Sequence, residues 1–252
     1  MTCKNHKVVF SYKGTNFHGL VEQPDNEVGN IRTVVGEIKK NFELVAREPI
    51  SIAVAGRTDK GVHARAQVGS FTLEKEVDIE RMKRTCNSRL APEVIIESIE
   101  NVDDDFHARF SAKARTYRYF IYNAENPSMM LDDFTWHVHQ GLDVKAMQEA
   151  AAHFIGEKDF TSVCRSSEDV KHNVRKITRA ELIQKTPHEL MFQISANAFC
   201  WQMVRSIVGL LVSVGKGKIS PDEIPAILDK KDREYGSHLA PAKGLTLWEV
   251  SY

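Results

Sequence analysis

Apolar and polar positions along the chain recur in two rhythms, and the switches between them mark the elements. Lys7-Val8-Val9-Phe10-Ser11-Tyr12 is a short, mostly apolar run closed by Gly14, and it reads as a strand. From Thr33 the period lengthens, with Val34, Val35, Ile38, Phe42 and Val45 on one side of a helix that Thr33 can cap. Asp25 to Asn30, ahead of it, reads as a loop. Ile50-Ser51-Ile52-Ala53-Val54 reads as a buried strand, and Gln67 to Leu73, alternating through Val68, Ser70 and Thr72, as a second. Asp78 opens a helix running to about Leu90, stopped by Pro92, and Val94 to Ile99 forms a further strand.

The second half repeats this order loosely, without a residue-level repeat. A strand from Thr116 places Tyr117, Tyr119 and Ile121 on one face and Arg118, Phe120 and Tyr122 on the other. Val144, Met147, Ala151 and Phe154 phase a helix from Val144 to Ile155, ended by Gly156. Ser162 to Val174 reads as a mobile polar loop. A hairpin follows: a strand opening at Arg175-Lys176-Ile177, a turn at Thr186 to Glu189, and a return through Leu190 to Ala196. The strongest helix begins at Phe199 and ends at Gly215-Lys216-Gly217-Lys218, which lacks the spacing and the Ser/Thr of a phosphate loop. A short helix over Pro221 to Asp229 and a closing strand from Thr246 to Tyr252 complete the chain.

This pattern predicts an α+β fold. Two similar ferredoxin- or RRM-like halves, residues 1–105 and 106–252, join into one mixed, mainly antiparallel sheet with helices on one face and a basic cleft on the other. With 252 residues, 42% of them hydrophobic and 27% charged, the chain has ample core material. Its formal net charge is zero, so a nucleic-acid partner would have to be held by local patches. Cys3, Cys86, Cys164 and Cys200 are scattered without a Cys-x-x-Cys pair, which suits reduced thiols. The first residues carry no apolar signal core, and the longest apolar run, Phe199 to Val214, is interrupted by Gln202 and Arg205 and is too short for a bilayer. A soluble cytoplasmic protein with no membrane partner is expected.

Candidate chemistry is concentrated in Ala55-Gly56-Arg57-Thr58-Asp59-Lys60-Gly61-Val62-His63-Ala64, between two strands. Gly56 and Gly61 bracket a lone carboxylate flanked by cations, an arrangement that suits a functional loop and equally an ordinary turn. Phe106 to Asn123 carries Arg109, Lys113, Arg115 and Arg118 with no acidic residue and six aromatics among them, the combination RNA contact requires. Periodicity does not choose between Tyr117 and Tyr119, and tyrosines in strands commonly only pack. Lys171, Arg175, Lys176 and Arg179 form a second basic stretch, which a charged sheet edge would also show. Asp103-Asp104-Asp105 reads as a solvated loop, and His137 and His139 lack further ligands at metal spacing, so no metal is expected. Arg205 is the one cation in its helix and lies either beside a carboxylate or on an exposed stripe.

Gly-Arg-Thr-Asp-x-Gly-Val-His-Ala resembles the signature of the tRNA pseudouridine synthase A family, and the likeness continues along nearly the whole chain. Tyr12, Gly14, Phe17, Gly19, Thr33 and Val34 fall on its first motif, and Ala114-Arg115-x-Tyr117-x-Tyr119 on another. Val174-Arg175-x-Ile177, Asn197 to Gly209 and Ala240-Pro241-Ala242-x-Gly244-Leu245 match the rest. Leu20, Val21 and Glu22 stand where the family has an aromatic and a glutamine, and Lys60 where it often has a small residue.

The resemblance implies isomerisation of uridine to pseudouridine in the anticodon arm of tRNA, with the base flipped out, by a homodimer using no cofactor. Asp59 would be the nucleophile, Tyr117 the stacking ring, Arg205 the partner of the aspartate, Leu245 a wall of the base pocket, and Arg57 a support for the flipped state. Arg109, Lys113, Arg115, Arg175 and Lys176 would bind the substrate. A carboxylate suits the reaction on independent grounds, since it can attack an electrophilic carbon or stabilise positive charge on ribose. The competing readings are a non-catalytic RNA-binding protein of the same fold and a synthase acting on other RNA sites.

Overall fold

The structure is a computed structural model and describes residues 4–21, 31–165, 172–236 and 239–252. The loop expected at Asp25 to Asn30, together with Cys3, Glu22, Gln23 and Lys171, lies outside the described residues. The chain forms two compact units, Met1–Lys113 with Leu247–Tyr252, and Ala114–Thr246. Residues 106–113 and the end of the last strand thus belong to the first unit.

In the first unit, β1 (Lys4–Tyr12), α1 (Val34–Ala46), β2 (Ala53–Val54), β3 (His63–Leu73), α2 (Ile79–Leu90) and β4 (Val94–Asn101) follow one another. β1 is central, antiparallel to β3 on one side and β4 on the other. Thr33 caps α1 by accepting from the Gly36 amide, and Asp78 caps α2 by accepting from that of Arg81, each satisfying an orphan donor of the first turn. The apolar face of α1 is pressed on the sheet, with Phe42 tilted against Phe71 at 5.2 Å between centroids. Phe71 in turn stacks on His6, and burial of that imidazole holds it below its ordinary pKa. The strand expected over Ile50 to Val54 is only two residues long. Ile50 is buried, but its amide donates to the Glu43 carboxylate at 2.9 Å rather than to a neighbouring strand.

The second unit contains β5 (Ala114–Asn123), β6 (Trp136–Val138), α3 (Val144–Ala152), β7 (Gly156–Asp159), β8 (Val174–Gln184), β9 (Glu189–Ala196), α4 (Met203–Gly215), α5 (Glu223–Asp229) and α6 (Arg233–Gly236). β9 lies antiparallel between β5 and β8, β7 extends the sheet beyond β8, and β6 runs parallel to β5. Asp143 caps α3 through the Ala146 amide. The last strand, β10 (Leu245–Ser251), begins in this unit and finishes in the first. Both units are helix-backed and mainly antiparallel, the α+β class that the patterning predicts.

Two differences from the sequence reading have plain causes. β7 is absent from it because Gly156-Glu157-Lys158-Asp159 has no apolar alternation, and its strand geometry comes from pairing with β8. The strongest helix begins at Met203 rather than Phe199, because Gln202 sits in the left-handed region with φ 62° and a right-handed helix cannot run through it.

Candidate active site

The Asp59 loop is built outward from a core. Ala55 packs in a cluster with Val68 and Ala108, joined by Val9, Phe106, Val250 and Tyr252, and its amide bonds to the Val68 carbonyl at 2.9 Å. Gln67, fully buried on β3, turns its amide back to donate to the Gly56 carbonyl at 2.9 Å. The tip is closed by the Val62 amide on the Asp59 carbonyl at 3.2 Å, which Gly61 permits by adopting φ +81°. Gly14 lies against the far side of this turn, where a Cβ would stand 2.0 Å from the Val62 carbonyl oxygen. The Gly14 amide donates to Nδ1 of buried His63 at 3.1 Å, so the imidazole proton is on Nε2 when the ring is neutral. Asp59 emerges half-buried, with Arg57 and Lys60 exposed on either side.

Tyr117, Arg205 and Leu245 belong to the second unit. The alternation of β5 is as expected: Arg115, Tyr117, Tyr119 and Ile121 all face inward and are buried. The two tyrosines differ in surroundings. Tyr119 is fully buried and donates its hydroxyl to the Pro241 carbonyl at 2.8 Å; burial pushes its phenol far above the ordinary value, against the opposing pull of the Arg205 guanidinium. Tyr117 meets Phe199 edge-on at 5.1 Å. Arg205 is the one residue of α4 that is not buried. Its Nε donates to the Ala240 carbonyl at 2.8 Å, and the Ala240 amide donates back to the Arg205 carbonyl at 3.2 Å. Arg205 and Tyr119 therefore anchor the Ala240-Pro241 segment. It leads through a 3-10 turn over Ala242–Gly244 into Leu245, which is nearly buried at the head of β10.

The basic residues divide by environment. Arg109 and Lys113 are exposed in the first unit, where the Arg109 guanidinium lies 5.5 Å from the ring of Phe110, itself 76% exposed. A cation beside an open aromatic face is a surface that nucleic-acid bases and phosphates both fit. Arg115 is buried and braces the Asn197 carbonyl from Nη1 at 2.8 Å. Arg175 is half-buried and donates to the carbonyls of His172 and Val174, whereas Lys176 is exposed. His137 hydrogen-bonds the Ala124 carbonyl at 2.8 Å. Among the described residues no group of three or more His, Cys, Asp or Glu is placed to hold a metal ion, and no helix is long and apolar enough to cross a membrane.

Sequence reasoning passed over Tyr12, Gln67, Tyr119 and Asn197 as site supports. Asn197 accepts the Lys176 and Ala198 amides on its side-chain oxygen at 3.0 and 2.9 Å. Their residue types carry no chemical signal; positions inside the motifs could have marked Tyr12, Tyr119 and Asn197, and nothing local marks Gln67, which lies beyond Ala64. Trp201 was passed over as well; it is 41% exposed, with the Arg165 guanidinium 4.1 Å from its ring.

Comparison with known proteins gives these parts a family. The model for the family described as tRNA pseudouridine synthase matches residues 8–111 and 150–252. The tRNA pseudouridine synthase A of Acetivibrio thermocellus is 39% identical over 249 residues, 99% of this chain and 100% of that protein. That of Brevibacillus brevis is 40% identical with the same coverage, and that of Bacillus subtilis 38% identical over 98% of both chains. Among solved structures, an H/ACA RNP bound to a substrate RNA containing 2'-deoxyuridine aligns at a TM-score of 0.38 and 14% identity, over 95% of this chain and 59% of that one; so distant a likeness carries no argument. The chain belongs to the tRNA pseudouridine synthase family.

Proposed function

We propose that this chain isomerises uridine to pseudouridine in the anticodon arm of tRNA, with Asp59 as the catalytic residue. The observation that carries the reading is the Asp59 loop: a family-matched carboxylate presented half-buried on a turn whose backbone is fixed from buried side chains. In the reaction the bond from ribose C1′ to uracil N1 breaks, the base turns, and C1′ bonds to C5. The C5 hydrogen leaves as N1 gains one, so atoms balance with no oxidant, reductant or transferred group. The Asp59 carboxylate attacks uracil C6 or ribose C1′, or assists passage through a glycal. Tyr117 stacks on the uracil, Leu245 walls the pocket and Arg57 supports the flipped state. Stacking contributes roughly 1–3 kcal/mol per base, comparable with the few kcal/mol that extrusion costs. Arg205 serves the same reaction, and Arg109, Lys113, Arg115, Arg175 and Lys176 serve tRNA. The reading extends to a cytoplasmic homodimer in which one tRNA touches both subunits.

Incubation with a tRNA transcript tritiated at uracil C5 tests this directly. Release of label at a catalytic rate, with the new nucleoside mapped to the anticodon arm, is the expected result. Tight binding with label retained would make the protein an RNA binder, and release mapped to other RNA sites would redirect its specificity.

A further inference from the structure

Resting on that reading, we infer that the hydroxyl pair of Tyr12 and Thr58 is the device that aims the Asp59 carboxylate, which makes Tyr12 a positioning residue for the isomerisation. Tyr12 ends β1 and is 5% exposed, its ring tilted against Phe10 at 6.0 Å. A phenylalanine would pack there equally well. What the tyrosine adds is its hydroxyl, 2.6 Å from Oγ1 of Thr58, short even for an O–H···O hydrogen bond. Thr58 is the residue immediately before Asp59, and its other oxygen is held too: its carbonyl accepts the Leu20 amide at 3.3 Å. The Leu20 carbonyl accepts the amide of Val35 at 2.9 Å, and that of Gly19 the amide of Val34 at 3.3 Å, so this second hold is tied to the first turn of α1.

Thr58 is thereby gripped at both oxygens from two different elements, and the Val62 amide fixes the carbonyl of Asp59 on the other side. The backbone is thus pinned both before and after Asp59. Rate depends steeply on such placement, since a displacement of about 1 Å can cost roughly 100-fold. The Leu20 amide does its work whatever its side chain, so a leucine in the place of the family's aromatic leaves this hold intact. The hydroxyl pair differs, because a substitution at either end removes it. It is made by side chains alone, across 46 residues of sequence.

The test is a hydroxyl cycle read by single-turnover tritium release from C5-labelled tRNA, with tRNA affinity and thermal midpoint measured on the same proteins. Tyr12→Phe and Thr58→Val are each expected to slow release by about 10- to 100-fold at saturating protein, with tRNA affinity changed less than about threefold. Thr58→Ser, which keeps the hydroxyl, is expected to restore most of the rate, and the double variant Tyr12→Phe/Thr58→Val to be no slower than the worse single one. Full-rate release by Tyr12→Phe well below its melting midpoint, whatever its stability, would reduce the pair to a packing contact and overturn the inference while leaving the proposed activity standing. Independent, multiplying losses in the double variant would overturn it as well. Absence of release by the unsubstituted protein would overturn both.

Discussion

The loop 55–62 of the first unit and the stretch 197–205 of the second each carry a charged site residue out of an apolar frame, and they are held by different means. The loop is gripped by side chains sealed from water: Gln67 on the Gly56 carbonyl, Tyr12 on Thr58, His63 on the Gly14 amide. The other stretch has one buried brace, Arg115 on the Asn197 carbonyl, and otherwise depends on the exposed Asn197 side chain, on Gln202 in a left-handed conformation and on a Met203 amide turned to the Cys200 carbonyl at 3.2 Å. A buried hydrogen bond has no substitute when lost, whereas water replaces an exposed one at small cost. The carrier of the carboxylate thus has more buried supports than the other.

The sharpest break of this comparison is at the carboxylate itself. Asp59→Asn keeps the size and the backbone supports and removes the charge. Tritium release should fall by at least about 10³-fold, with cooperative thermal unfolding retained. A wild-type rate in the amide variant would remove Asp59 from the chemistry and leave the loop a well-made turn.

Gly14→Ala attacks the scaffold instead. A Cβ at that position stands 2.0 Å from the Val62 carbonyl oxygen and 2.7 Å from its carbon, and neither is a flexible side-chain end. The 3-10 turn that Gly14 begins and the loop must separate, at a cost of about 2–4 kcal/mol by urea denaturation, with activity lost alongside. Unchanged stability would show that the loop has the slack this comparison denies it.

Much of this was legible in the sequence, for reasons that differ by residue. Thr33 and Asp78 announced the caps of α1 and α2 because capping is local chemistry, completed within three residues. Tyr117, Tyr119 and Ile121 announced a shared face of β5 because strand alternation is rigid, though not that this face is the inward one. Where a partner is distant, the signal failed. The difference in surroundings between Tyr117 and Tyr119 turns on the Pro241 carbonyl, 122 residues from the Tyr119 hydroxyl that donates to it. The beginning of α4 was misread because Phe199, Cys200 and Met203 keep helical phase while one left-handed residue, Gln202, breaks the backbone. Apolar phase reports which side chains go inward, and it is blind to the conformation that carries them there.

Gln67→Ala and Asn197→Ala form a matched pair for the remaining step. Gln67 is wholly buried; without its side chain the Gly56 carbonyl and the Val68 amide lose the partners they have at 2.9 and 3.1 Å. Stranding buried polar groups costs roughly 1–3 kcal/mol, and because one of them is next to Arg57 in the Asp59 loop, the rate of tritium release should fall with stability.

Asn197 also serves two donors through one oxygen, the amides of Lys176 and Ala198, and its own carbonyl accepts from Arg115. Truncation to alanine leaves that carbonyl and its arginine in place and opens the two amides to water at an exposed position. The expected loss is about 0.5–1 kcal/mol, smaller than for Gln67→Ala and measurable by the same urea titration, with the single-turnover rate nearly unchanged. Equal losses in the two variants would mean that burial does not separate the supports of the two regions. A larger loss at Asn197 would reverse the order, and the approach to α4 would then be the more tightly specified carrier.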